Sequence, residues 1–148
     1  MTTIRLYGLT DGYGSYAQVL RGFLHAFTEY GYGPDRLVVV PLEARPADAE
    51  PLGLPEADVG IFLGPPSAAS ALSQHARHRL RFVMVAPNSD RLPEPTMKIV
   101  NEHATHVLVP SEWSAGVTMH YSERTVMVVP HGVFPEFHER ENPPVIPT

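Results

Sequence analysis

The chain alternates short apolar runs with segments of helical periodicity, and this alternation restricts its fold more than any other feature. Six runs of four to six residues are rich in Val, Ile, Leu, Met and Phe. Several of them are nearly continuous, which is typical of strands buried on both faces of a parallel sheet. The runs are Ile4–Leu9, Leu37–Leu42, Val59–Leu63, Phe82–Ala86, His106–Val109 and Val126–Val129.

Helical patterns separate most of these runs. One apolar stripe extends from Tyr16 to Tyr30, with Ser15 as its predicted N-cap and Gly31 as its predicted stop. Residues 43–57 are polar and rich in proline, which favours a loop. The alternation predicts a Rossmann-like, doubly wound α/β fold with a mainly parallel six-stranded sheet and helices on both faces. The other predicted helices are Ser67–His78, Pro95–His103 and Glu112–Tyr121, the last capped by Ser111.

Length and composition restrict the class of protein further. At 148 residues the chain is predicted to form one domain over residues 1–133, followed by a linker-like tail over residues 134–148. There are no cysteines, so disulfides and thiolate metal sites are excluded. The formal charge is -5 and Lys98 is the only lysine, which argues against nucleic acid as a partner. No run is long enough to span a membrane, and we expect a cytoplasmic protein.

A glycine-containing loop follows the first predicted strand. It holds Gly12, Tyr13, Gly14 and Ser15, directly before the first helix. Ligands of open α/β sheets bind beyond the carboxyl ends of the strands, and a helix N-terminus favours anions, so we expect this loop to contact an acceptor or a phosphate. A tight turn with no ligand is the alternative. The loop also fits G-x-G-x-x-A, but Glu43 follows too late for the ribose-binding acid of a nicotinamide dinucleotide site.

Polar residues also follow the last three predicted strands. An ion pair or a cap within the loop is the alternative explanation for the polar residues after the fourth strand. Helix capping is the alternative for Ser111, and packing is the expected role of Trp113, the only tryptophan. The predicted cleft-lining residues are Asn88, Asp90, Arg91, Ser111, His131 and Gly132.

No catalytic residue and no cofactor can be nominated from the sequence. The eight histidines have no carboxylate at the spacing of a zinc protease, so no metal site is predicted. The sequence contains no G-x-S-x-G and no Walker lysine, which are the signatures of a nucleophile elbow and a P-loop.

Four segments resemble, in order and spacing, the N-terminal domain of retaining GT-B glycosyltransferases of the group-1, family-4 type. They are the glycine-rich opening at 12–16, an E-S-D-R-L-P-like segment at 88–93, a D-x-V-x-V-P-S-x-W-like segment at 105–114, and a V-I-P-N/H-G-V-D-like segment at 128–133. Two positions depart from the pattern: Asn88 stands where glutamate is frequent, and Phe134 stands where aspartate usually follows.

The resemblance implies an acceptor-binding half of a nucleotide-sugar-dependent glycosyltransferase. In that family the glycine-rich loop and the loop after the fourth strand line the cleft between two domains, which implies roles for Gly12, Gly14, Ser15, Asn88, Asp90 and Arg91. The family binds the nucleotide sugar in a second domain, so a second domain or chain is the implied partner for activity. The alternatives are a non-catalytic homodimeric binding domain derived from such an enzyme and, less favoured, a small dinucleotide-binding enzyme.

Overall fold

The structure, a computed structural model, describes residues 2–11, 14–42, 57–64 and 77–131. The loop predicted at 43–57, apart from Ala57, and the tail predicted at 134–148 lie outside these residues, as do Gly12, Tyr13 and Gly132. In chain order the elements are β1 (Ile4–Gly8), α1 (Ser15–Glu29), β2 (Leu37–Pro41), β3 (Val59–Leu63), β4 (Leu80–Met84), α2 (Glu94–His103), β5 (His106–Val109), α3 (Glu112–Met119) and β6 (Thr125–Val128).

The six strands form one sheet in the order β2-β1-β3-β4-β5-β6, and every pairing is parallel. This confirms the predicted Rossmann-like α/β class. The chain adds β2 on one side of β1 and then continues on the other side with β3. The crevice between the carboxyl ends of β1 and β3 is therefore the topological switch point, where ligands of such sheets bind.

Both faces of the sheet carry helices, as the doubly wound prediction requires. On one face Leu20 of α1 packs with Leu6 and Ile61. On the other face Tyr7 and Phe62 belong to a core that includes residues of α2 and α3. Neighbouring strands keep these rows aligned, since Tyr7 lies opposite Val40 on one side and Phe62 on the other.

The sequence signals at helix ends are confirmed at Gly31 and Ser111 and are wrong at Ser15. Gly31 has a φ of 98°, a left-handed conformation that glycine adopts readily at the end of a helix. The Ser111 hydroxyl accepts a hydrogen bond from the Ser114 backbone N–H at 3.1 Å, which confirms it as the cap of α3. The prediction that Ser15 caps α1 is wrong, because Gly14 occupies the cap and Ser15 is the first helical residue.

Strand β4 begins two residues earlier than the apolar pattern predicts, because Arg81 is part of it. The guanidinium of this half-buried residue donates to the carbonyl oxygens of His78 at 2.6 Å and His103 at 2.5 Å. Most of the helix predicted over Ser67–His78 lies outside the described residues, and its last two residues, Arg77 and His78, are not helical.

Candidate functional site

At the switch point, α1 approaches the strands at Gly8, the last residue of β1. A Cβ atom added to this buried glycine would lie 2.6 Å from Leu20 Cδ1 and 2.6 Å from the carbonyl oxygen of Leu63. Only glycine therefore lets the helix and the ends of β1 and β3 come this close. The sequence pattern points to the later glycines and not to Gly8, because Gly8 lies inside the predicted apolar run Ile4–Leu9.

The start of α1 is open. Gly14 has an ordinary extended conformation, with φ -60° and ψ 155°, and an added Cβ would meet nothing within 4 Å. The backbone does not require glycine at this position, in contrast to Gly8. Both Gly14 and Ser15 are exposed, so a ligand can reach the first N–H groups of the helix, which have no partner within the helix itself.

Arg21 adds a positive charge to this region. Its Nη1 atom donates to the Thr10 carbonyl oxygen at 3.4 Å, which brings the guanidinium from the second turn of α1 back to the loop after β1. The helix N-terminus and this guanidinium both favour an anion. Sequence alone does not identify Arg21 as a site residue, because its approach to the loop depends on how α1 folds back over β1.

The loop after β4 exposes Asn88, Asp90 and Arg91 to solvent. Ser89 organises it, because the Ser89 hydroxyl accepts from the Arg91 N–H and donates to the Arg91 carbonyl, both at 3.2 Å. The Tyr121 hydroxyl adds a longer bond to the Asp90 carbonyl at 3.3 Å. Within the described ranges neither Asp90 nor Arg91 forms an ion pair, so the two charges do not serve as a clamp for the loop.

The loops after β5 and β6 carry the remaining nominated residues. The hydroxyl of Ser111 is engaged by Ser114, both at its backbone N–H and at its own hydroxyl, 3.0 Å away. His131 is exposed as a residue, yet partial burial of its ring lowers the pKa of the imidazole below 6.5, which favours the neutral form at pH 7. The expectation that Trp113 packs in the interior is wrong, because it is 57% exposed.

Strand order divides the nominated residues into groups. Those that the structure describes follow carboxyl ends of parallel strands, so they lie at one edge of the sheet. From β1, strand β4 is two positions away and β6 is four. At a spacing of about 4.8 Å per strand these offsets are about 10 Å and about 19 Å. A small ligand at the start of α1 can thus reach towards Asn88, Asp90 and Arg91, whereas His131 lies too far along the edge to share it.

A buried polar cluster lies beneath the switch point. The Tyr7 hydroxyl is 2.6 Å from His78 Nε2, and His78 Nδ1 is 2.9 Å from the Ala57 carbonyl oxygen. Because a carbonyl only accepts, Nδ1 of the neutral ring carries the proton and Nε2 accepts from Tyr7. Burial raises the pKa of the Tyr7 hydroxyl above 10.0, and the charge of Arg5 and a hydrogen bond from it offset part of that rise.

The position of this cluster gives it a structural role, because its residues are buried in the interior. Tyr7 and His78 are at most 4% exposed and Arg5 is 7% exposed, so no ligand reaches them from solvent. The His78 ring lies over Gly60 of β3, where any Cβ would collide with it. Periodicity did not reveal the cluster, because Arg5 and Tyr7 fall within an otherwise apolar strand and His78 is distant in the sequence.

The described residues show neither a metal-binding cluster nor a membrane-spanning helix. They contain no group of three or more His, Asp or Glu side chains arranged to hold a metal ion. Among the same residues, no helix is long and apolar enough to cross a membrane.

Comparisons with protein-family models, with curated proteins and with solved structures found no match for this chain.

Proposed function

We propose that this chain is the acceptor-binding half of a nucleotide-sugar-dependent glycosyltransferase and that it acts with a second, donor-binding half. The observation that carries the proposal is the position of α1 at the switch point. Its open N-terminus and Arg21 offer an anion site beside the crevice between β1 and β3.

The glycosyltransferase-like segments support the same proposal through their position in the fold. The glycine-rich segment precedes α1, and the segments that begin at Asn88, Thr105 and Val128 each lead to or follow the carboxyl end of a strand. Their described residues therefore lie along one edge of a parallel sheet, which is the edge where such folds bind ligands.

Glycosyl transfer in such an enzyme depends on positioning and on stabilising the leaving diphosphate. In the proposal the start of α1 and Arg21 face the phosphates, while the exposed loop of Asn88, Asp90 and Arg91 binds acceptor hydroxyl groups. The remaining cationic groups for the diphosphate come from the second half. No residue of this chain is assigned a covalent role.

A donor-hydrolysis assay tests the proposal. UDP-glucose and GDP-mannose are incubated with this chain, with a donor-binding glycosyltransferase half, and with both together. We expect nucleoside diphosphate to be released only when both halves are present. Absence of release with every pairing, while the two halves bind each other, would count against the proposal.

Two arginine variants of α1 and its neighbourhood sharpen the test. Arg21→Gln removes the charge at the switch point, and we expect roughly a tenfold loss of activity or more, since hydrogen bonds to charged groups contribute about 1.5–3 kcal/mol. Arg36→Gln is the matched control, because Arg36 stacks over Tyr32 at 4.2 Å beyond the other end of the helix. Equal activities for the two variants would refute the role of Arg21.

The same two halves also test the homodimeric alternative. A stable dimer that binds neither nucleotide sugar, alone or with the second half, would favour a non-catalytic binding domain. Tight binding of a nicotinamide dinucleotide in calorimetry would instead favour the dinucleotide-dependent enzyme.

A further inference from the structure

The last strand of the sheet, β6, has one paired edge and one outer edge. It pairs with β5 along its whole length, from Thr125 opposite His106 to Val128 opposite Val109. Among the residues that the structure describes, no strand pairs with the other side of β6. An edge of this kind presents unpaired N–H and C=O groups, which are a template for another strand.

The hydrogen bonding to β5 identifies which groups point outward. The Val129 N–H donates to the Val109 carbonyl at 2.8 Å, so the backbone N–H of Val129 points towards β5. The N–H and C=O groups of successive residues point to alternate sides of a strand. The backbone groups of Met127 and Thr125 therefore also point towards β5. The N–H and C=O groups of Val126 and Val128 consequently point away from the sheet.

Most side chains along β6 itself are apolar, and none is charged. Met127 is 42% exposed on the face that carries α1, and the run Thr125–Pro130 contains no charge. On the opposite face α3 packs against β6, and it exposes Trp113 at 57% and Met119 at 65%. Three of the five large hydrophobic residues that are exposed in the described part of the chain thus lie on β6 or on the helix beside it.

The two edge strands, β2 and β6, also differ in the features that discourage pairing with another strand. Strand β2, at the far edge, ends in Pro41, a residue that cannot donate to an added strand. Strand β6 contains no proline, no charge and no glycine that would discourage pairing. Only its short length of four residues limits the hydrogen bonds that an added strand can form.

We propose that β6 pairs with β6 of a second copy of this chain, antiparallel, about a two-fold axis that passes beside Met127. In this register Val126 lies opposite the partner's Val128, and Val128 lies opposite the partner's Val126. Each pair exchanges two backbone hydrogen bonds, because both residues direct their N–H and C=O groups outward. The two sheets then continue as one sheet across the interface.

The same register explains the exposed methionine. Met127 lies opposite the partner's Met127 as a non-hydrogen-bonded pair, in which Cβ atoms are about 4.5–5.5 Å apart. The two side chains bury each other, and no like charges meet. A second copy suits this edge because the run Thr125–Pro130 is uncharged, so pairing the strand with itself about a two-fold axis brings no like charges together. The dimer is independent of the proposed glycosyltransferase role.

Cross-linking tests the register directly. The chain has no cysteine, so Met127→Cys introduces a single thiol. We expect mild oxidation to convert it rapidly into a disulfide-linked dimer, because the two Cβ atoms approach the separation that a disulfide spans. Tyr30→Cys is the matched control, since Tyr30 is 88% exposed and lies beyond the end of α1. Equal cross-linking rates for the two variants would overturn the proposal.

Analytical ultracentrifugation of the full chain supplies the second test. We expect a monomer–dimer equilibrium that Val128→Pro shifts towards monomer by at least about tenfold, because proline removes an outward N–H and leaves the bonds to β5 in place. Met127→Lys, which sets two like charges across the axis, should shift it in the same direction without touching the backbone. Circular dichroism verifies that each variant is folded.

Two results would overturn the inference. One is a wild-type chain that sediments as a monomer at every concentration, which would also be the result if another protein's strand occupies β6. The other is a dimer that both variants leave unchanged, because it would use a different surface.

Discussion

Replacing Tyr7 with phenylalanine removes a single oxygen atom from the interior and leaves the ring in place. The Tyr7 ring stacks on Phe62 at a centroid distance of 4.4 Å, and this contact survives the change. The lost hydroxyl is the partner of His78 Nε2 at 2.6 Å and of the Arg5 guanidinium. The substitution therefore tests hydrogen bonding and charge compensation with little change in packing.

The expected cost follows from the groups left behind. A buried polar group that loses its partner costs about 1–3 kcal/mol, and here two buried groups each lose one. We expect Tyr7→Phe to lower the free energy of unfolding by about 2–4 kcal/mol, a large part of the roughly 5–15 kcal/mol of a typical domain. At about 2–4 °C per kcal/mol, the melting temperature should fall by roughly 4–16 °C.

Urea denaturation followed by circular dichroism measures this change. Tyr121→Phe is the matched control, because it removes a hydroxyl from a half-buried tyrosine whose bond to the Asp90 carbonyl is long, at 3.3 Å. That variant should lose no more than about 0.5–1 kcal/mol. The double variant Tyr7→Phe with His78→Phe should be less destabilised than the sum of its single variants by about 1 kcal/mol or more.

The pH dependence gives an independent readout of the same group. Burial raises the pKa of Tyr7, so above pH 10.0 the unfolded chain loses this proton while the folded chain keeps it. The stabilisation is fully present below the unfolded pKa and is lost as the pH rises through the folded pKa. Tyr7→Phe should have a flatter stability curve above pH 10.0 than the wild type. A variant within about 0.5 kcal/mol of wild type, with an unchanged alkaline slope, would refute the whole account.

Two further substitutions test the helix contacts around the candidate site. Gly8→Ala should lower the free energy of unfolding by about 1–3 kcal/mol, since its Cβ would lie 2.6 Å from the immobile Leu63 carbonyl, whereas Gly22→Ala in the open interior of α1 should raise it by about 0.5–1 kcal/mol. Thermal melts compare the pair, and similar effects of the two changes would contradict the close approach at Gly8. Ser111→Ala should cost about 1 kcal/mol by removing the cap of α3, and Ser111→Asp should restore most of it; equal losses from both would show that capping is not its role.

Much of the fold could be predicted because the two central strands β1 and β3 are buried on both faces. The run Val59–Leu63 matches β3 at both ends, since every residue in it is buried and no polar side chain interrupts it. The start of β4 could not be predicted from the same rule. Arg81 breaks the apolar pattern, and carbonyl oxygens of His78 and His103 solvate its charge. Those contacts exist only after the chain has folded.

For the candidate site, the sequence could predict only the edge of the sheet on which it lies. Parallel strands bring all their carboxyl ends together, so the loops after β1, β4, β5 and β6 were correctly expected on one side of the sheet. Their separation along that side depends on strand order, which hydrophobic periodicity does not encode. For the same reason Arg21 and Gly8 were missed, because their significance arises from where α1 crosses β1 and β3.

The exposure of Trp113 gives this protein a built-in optical reporter. It is the only indole in the chain, so all tryptophan fluorescence comes from the first turn of α3, at the edge of the sheet where the strands have their carboxyl ends. The emission maximum of Trp113 should lie at the long-wavelength end of the range for tryptophan, and collisional quenchers should reach its ring. The maximum should shift to shorter wavelength whenever another molecule covers that turn. Lys98, the sole lysine and exposed on α2, offers one amine for an acceptor dye. Once the α-amino group is blocked, the two residues form a single energy-transfer pair without an engineered labelling site.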